Sequence, residues 1–104
     1  MKQVLVRYKV KAESAAENQR LVEAVFEELR ARAPAGVQYL VLRLDDGSFL
    51  HFAISQEGAV ALPSLEAFQL FRENLGGRTV EGPQSCAAAI VGNYRMLGAA
   101  GAGA

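Results

Sequence analysis

The sequence holds one histidine, His51, in the run Phe49-Leu50-His51-Phe52-Ala53-Ile54. An imidazole titrates near neutral pH, so in a pocket it can pass a proton between a ligand and the protein. On this chemistry His51 is the catalytic candidate. The plainer reading is a strand histidine, hydrogen-bonded and inert, facing solvent or a subunit interface. Tyr39 and Arg43 lie one strand earlier. With His51 they could orient a carbonyl or phenolate of an aromatic ligand between apolar walls, although Arg43, near a hairpin end, could equally pair with Asp45 or meet solvent. Tyr8, Tyr39 and Tyr94 each carry an apolar ring and a polar tip. Tyr8 falls among valines, so its hydroxyl can reach a cavity under a helix. The expected site is therefore His51 as the catalytic group, with Tyr39, Arg43 and Tyr8 binding substrate.

Other chemistries are poorly supplied. One cysteine excludes an internal disulfide, and one cysteine with one histidine is too few soft ligands for structural zinc. Cys86 stands among alanines with no nearby charge to stabilise a thiolate, so it reads as a small buried hydrophobe. Asp45-Asp46 reads as turn chemistry rather than a metal site. Glycines 98, 101 and 103 precede no helix, so a dinucleotide-binding loop is not expected. No serine sits in a nucleophile elbow.

These residues must be positioned by a small fold. The chain has 104 residues, enough for one domain. Apolar residues make up 51% and charged residues 21%, a composition that folds. Eleven basic and eleven acidic residues cancel, which removes the main electrostatic reason to expect nucleic acid or an anionic membrane. The longest apolar run, Cys86 to Val91, is too short to span a bilayer. Met1-Lys2-Gln3 leads directly into strand-like sequence instead of a signal peptide. The expected location is the cytoplasm.

Residues 3–11 alternate, with Val4, Val6, Tyr8 and Val10 on one face and Leu5, Arg7, Lys9 and Lys11 on the other, which predicts a strand. Ser14-Ala15-Ala16-Glu17 has capping-box spacing. Behind it Leu21, Val22, Val25, Phe26 and Leu29 form one apolar stripe, Arg30 and Arg32 suit the helix C-terminus, and Pro34 and Gly36 stop it. A helix over about 14–33 follows. Residues 37–44 and 49–55 read as a hairpin around Asp45-Asp46-Gly47. A three-residue loop with Gly47 as the bulge groups Leu40, Leu42, Leu50, Phe52 and Ile54 on one face. Tyr39, Val41, Arg43, Phe49, His51 and Ala53 then share the other. Pro63 and Ser64 open a second helix with Leu65, Phe68, Phe71 and Leu75 as its stripe, ended by Gly76-Gly77. Residues 78–84 read as irregular, 85–95 as a fourth strand rich in small residues, and 98–104 as a flexible Gly/Ala tail.

The order β-α-β-β-α-β predicts an α+β, ferredoxin-like fold over residues 1–97: a four-stranded antiparallel sheet with two helices on one face. Two helices cover only one side, yet the strands carry apolar residues on both. The uncovered patch would exceed the ~300–600 Å² usual for monomers, so a homodimer packed through that side is expected. The alternative is that Arg7, Lys9, Arg43 and His51 solvate it.

Within this framework the sequence resembles the dimeric α+β barrels of the antibiotic-biosynthesis-monooxygenase (ABM) superfamily over about residues 3–95. The resemblance is carried by Val4-Leu5-Val6-Arg7-Tyr8-Lys9-Val10-Lys11, Gly36-Val37-Gln38-Tyr39, Phe49-Leu50-His51-Phe52 and Val91-Gly92-Asn93-Tyr94-Arg95. It implies a barrel of two facing sheets that binds a small apolar or aromatic metabolite and acts as a cofactor-independent monooxygenase, or as a non-catalytic ligand-binding or structural dimer. The third strand lacks the glutamate and tryptophan frequent in the superfamily. The second helix has phenylalanines where some members have histidines, so no haem ligand is expected, nor any other cofactor. RNA-recognition domains share this element order, and Phe49-Leu50-His51-Phe52 echoes part of their third strand. The basic and glycine residues that should precede that pattern are missing, however, so no nucleic-acid partner is expected.

Overall fold

The computed structural model describes residues 1–97; the expected tail, 98–104, lies outside the described residues. Strand β1 (Lys2–Val10) leads through a 3-10 turn (Ala12–Ser14) into helix α1 (Ala15–Arg32). The hairpin β2 (Val37–Arg43) and β3 (Ser48–Ser55) follows. A second 3-10 turn (Leu62–Ser64) precedes α2 (Glu66–Arg72), the single turn α3 (Leu75–Arg78) and β4 (Thr79–Ala87). The antiparallel sheet has the order β2-β3-β1-β4, the expected ferredoxin-like arrangement.

The hairpin has the three-residue loop. Leu44 and Ser48 close it through Leu44 N–H to Ser48 O (2.8 Å), and Gly47 sits at φ 89°, the left-handed position that a glycine bulge requires. Arg43 pairs with Phe49, Val41 with His51 and Tyr39 with Ala53. β1 continues the same face through Val6 opposite His51 and Tyr8 opposite Phe49. This is the face the helices cover. Tyr8, Val10 and Phe49 are buried there against Val22 and Val25 of α1 and Leu65 and Phe71 around α2. The other face carries Leu5, Leu40, Leu42, Leu50 and Phe52, and no helix among the described residues covers it. Arg7, opposite Leu50, belongs to this open face, whereas Arg43 and His51 belong to the helix face. The four groups expected to solvate one side are thus divided between two.

Several local expectations are corrected. Ser14 makes no side-chain cap, because it ends the 3-10 turn with its N–H on Lys11 O (2.9 Å) and its backbone at φ −102°, ψ −3°. At the other end Ala33, not a glycine, takes the left-handed position at φ 46° and donates to Leu29 O (2.7 Å). Gly36 instead lies where an added Cβ would come 3.1 Å from Gln56 Cβ. The second helix is broken. Glu73 is extended and Asn74 sits at φ 59°, and Gly76-Gly77 fall inside α3. The buried Arg78 maintains the break by donating to Phe71 O (2.6 Å) and Glu73 O (2.9 Å), backbone acceptors that a continuous helix would have used itself.

The fourth strand starts at Thr79 instead of Ser85 and stops at Ala87 instead of Arg95. Its position is set by pairing with β1, from Val10–Thr79 to Val4–Ala87. Between Arg7–Gln84 and Lys9–Glu81 it has one more residue than β1, and this bulge accommodates Gly82-Pro83 on an edge strand where a missing N–H is tolerated. Cys86, expected to be buried, is exposed on this edge opposite Leu5.

Candidate functional site

Under the helices the sheet carries a polar chain in an otherwise apolar layer. β3 places His51 at its centre, 6% exposed. β1 brings the Tyr8 hydroxyl to 2.7 Å from His51 Nε2, and β2 brings the Tyr39 hydroxyl to 2.5 Å from Nδ1. Each of these three strands supplies one residue because positions 8, 39 and 51 share the helix-facing parity. From above, α1 contributes Asn18, fully buried, whose Nδ2 donates to the Tyr8 hydroxyl (2.9 Å). Arg78 Nε in turn donates to Asn18 Oδ1 (3.1 Å). The chain runs Arg78–Asn18–Tyr8–His51–Tyr39.

Aromatic rings enclose it. Phe49 stacks on Tyr8 at 5.6 Å, Phe71 lies 5.3 Å from His51, and Phe26 stacks on Tyr39 at 5.1 Å. The Arg78 guanidinium carbon sits 5.6 Å over the Phe71 ring. Removal from water disfavours every charged form in this layer. Burial pushes the His51 pKa down to about 4, so the imidazole is neutral at neutral pH. Burial pushes the Tyr8 hydroxyl up to about 12, opposed by its bond from Asn18 and by the charge of Arg78. Tyr39 is raised for the same first reason, with Tyr8 adding to it.

Tyr39 is half-buried and lines two clefts. One, of about 250 Å³, lies between α1 and β2 and is walled by Phe26, Leu29, Arg30 and Val37. The other, of about 350 Å³, lies on the open face between Leu40, Phe52 and Ile54 and the returning residues Met96 and Leu97. Among the described residues no three His, Cys, Asp or Glu side chains gather as a metal site requires.

Of the residues singled out by type and spacing, the structure brings together His51, Tyr39 and Tyr8. His51 faces neither solvent nor the open side of the sheet. Arg43 shares their face but stays apart, exposed, with its guanidinium on Gln19 Oε1 (2.7 Å) rather than on Asp45. Tyr94 is 80% exposed after β4. Asp46 does turn work, accepting from Ser48 N–H (2.8 Å), which together with the Ser48 side chain holds its carboxyl below the usual range. Sequence reasoning missed Asn18 and Arg78. Asn18 had a visible signal, a polar residue at position 18 of the stripe 15, 18, 22, 25, all four buried. Arg78 had none, because only the break after α2 turns it inward.

Comparison with known proteins agrees with this architecture. No family model and no curated protein sequence matches the chain. Among solved structures it is similar to a candidate antibiotic biosynthesis monooxygenase from Caulobacter crescentus CB15 (17% identity, TM-score 0.70, covering 86% of this chain and 89% of that one). A candidate antibiotic biosynthesis monooxygenase from Nitrosomonas europaea is similar at 15% identity, TM-score 0.69 and coverage of 86% and 88%. PA3566 from Pseudomonas aeruginosa is similar at 19% identity, TM-score 0.65 and coverage of 86% and 93%. The chain therefore has the ferredoxin-like α+β fold of these structures. No helix among the described residues is long and apolar enough to cross a membrane.

Proposed function

We propose that this chain forms a homodimeric α+β barrel that binds a small apolar or aromatic metabolite beside Tyr39 and acts on it as a cofactor-independent monooxygenase. The observation that carries the reading is the Tyr39–His51–Tyr8 chain, a hydrogen-bonded polar group set in an aromatic layer and ending at a residue that lines a cleft. Such a layer excludes water and strengthens each polar contact within it. Tyr39 contacts the ligand oxygen, His51 holds Tyr39, Tyr8 holds His51, and Arg43 stands at the rim. A ligand bound as phenolate or enolate is stabilised by the Tyr39 hydroxyl. Its activated carbon, which has already given up one proton, adds O2 to give a peroxide anion. This takes up a proton to become the hydroperoxide, whose distal OH leaves as water with the carbon's remaining hydrogen, and a carbonyl is left. One oxygen atom enters the product, the other leaves as water, and the substrate CH2 carbon supplies the four electrons, so no cofactor is consumed.

The dimer reading rests on the open face. Leu40 and Leu42 are 43% and 47% exposed, and beyond β4 Val91 and Met96 project into solvent. A second copy packed on this surface by two-fold symmetry removes it from water. The single exposed thiol suits a reducing compartment, in keeping with the cytoplasm.

Thermal-shift measurements with phenols and quinones, paired with O2 uptake, test the reading. Phenols and quinones are expected to raise the melting temperature of the native protein more than that of Tyr39→Phe, and an electron-rich phenol to consume O2 in a manner abolished by His51→Ala. Ligand binding without O2 uptake selects the non-catalytic ligand-binding dimer, a reading favoured by the internal satisfaction of both imidazole nitrogens. Absence of any shift overturns both.

A further inference from the structure

The buried chain has a direction, fixed at its deep end. Arginine has only donors, so the atom of Asn18 facing Arg78 Nε must be the amide oxygen, and the amide nitrogen must face Tyr8. The Tyr8 oxygen therefore accepts from Asn18. Its own hydrogen has one acceptor among the described residues, His51 Nε2. A neutral imidazole carries one N–H, so if Nε2 accepts, Nδ1 must donate, and its partner is the Tyr39 oxygen. The Tyr39 hydrogen is then the surplus donor, with no second partner among the described residues. The reverse arrangement would strand the surplus hydrogen on Tyr8, which is 2% exposed, whereas Tyr39 is half-buried and lines a cleft. An unsatisfied donor costs more at the drier position.

We infer that Asn18 and Arg78 are positioning residues that set this direction, so that His51 carries its proton on Nδ1 and Tyr39 offers its O–H to an acceptor oxygen on a flat apolar ligand. The only lone pair on the imidazole is occupied by Tyr8, so His51 acts through Tyr39 and does not itself take a proton from the ligand. The ligand class narrows to rings bearing a carbonyl or oxyanion, such as a quinone or phenolate. The ligand half of this inference rests on the proposed function; the direction of the chain does not.

His51 is the only histidine, so nitrogen-15 NMR of the labelled full-length protein reads its tautomer without assignment ambiguity. The native protein and Tyr39→Phe are both expected to show Nδ1 protonated and Nε2 bare, because the direction is imposed from the Asn18 side. Asn18→Asp is expected to switch the proton to Nε2, since a carboxylate accepts from both Arg78 and Tyr8 and turns the Tyr8 hydrogen away from the ring. An Nε2–H tautomer in the native protein, or a switch in Tyr39→Phe, overturns the inference even if Asn18→Asp does not fold. For the ligand, 1,4-naphthoquinone is expected to bind the native protein more tightly than naphthalene, and Tyr39→Phe to lose roughly ten-fold of that preference. An Nδ1–H tautomer without quinone preference leaves the direction standing and removes the ligand assignment.

Discussion

The two sides of this sheet solve the same problem in opposite ways. On the helix side a histidine, a tyrosine, an asparagine and an arginine are buried and a second tyrosine is half-buried, yet every bond in the chain from Arg78 to Tyr39 is made within the one polypeptide. On the open side the residues are mostly apolar and easy to bury, yet Leu40 and Leu42 remain in contact with water. A face can thus be polar and complete but for the one Tyr39 hydrogen, or apolar and incomplete. Completeness depends on whether partners are supplied, and on the open side the described residues supply only the few after β4 that return near Ile54.

The largest effect is expected where the incomplete face is charged. Leu40→Asp with Leu42→Asp places four carboxylates around a two-fold axis and should weaken self-association by about 1,000-fold, near 4 kcal/mol, while leaving the fold of each chain intact. Analytical ultracentrifugation with circular dichroism checks both halves. On the complete face, Arg78→Met leaves Asn18 Oδ1 and the carbonyls of Phe71 and Glu73 without their donor. Stability should fall by about 3–4 kcal/mol in denaturant titrations, because each buried acceptor loses its partner at once.

The pH dependence separates the faces further. The His51 pKa is lowered from 6.5 to about 4 on folding. Between those values the unfolded chain binds the extra proton, so stability is fully present above pH 6.5 and is lost as the pH falls towards 4. The loss should reach up to ~3 kcal/mol and then level off, and His51→Phe should flatten this part of the curve. The smallest effect belongs to the open face. Arg7 reaches Asp46 at 3.5 Å with both side chains about half exposed, and Arg7→Ala should change stability by less than ~0.5 kcal/mol.

What was legible in the sequence follows the same division between local and distant causes. The alternation of Val4, Val6, Tyr8 and Val10, the stripe of Val22 and Val25, and the Asp45-Asp46-Gly47 turn are local signals, and each element formed where they placed it. The hairpin register by itself puts Tyr39 and His51 on one face. A fourth strand was legible but its bounds were not, because residues 79–87 are mostly polar or small and interrupted by Gly82-Pro83; they form a strand because β1 lies beside them. The break after α2 was illegible because it depends on Arg78 turning inward to the last carbonyls of that helix. The site was half readable for the same reason. Its histidine and tyrosines announce themselves by type, whereas Asn18 and Arg78 gain their role only from what they meet in space.

The proposed dimer depends on the open face, which the described residues of a single chain leave exposed at Leu40 and Leu42. Sedimentation of the native protein across a micromolar concentration series tests this directly. The expected result is one species at twice the 11.1 kDa chain mass. A single 11.1 kDa species persisting at high micromolar concentration would contradict it.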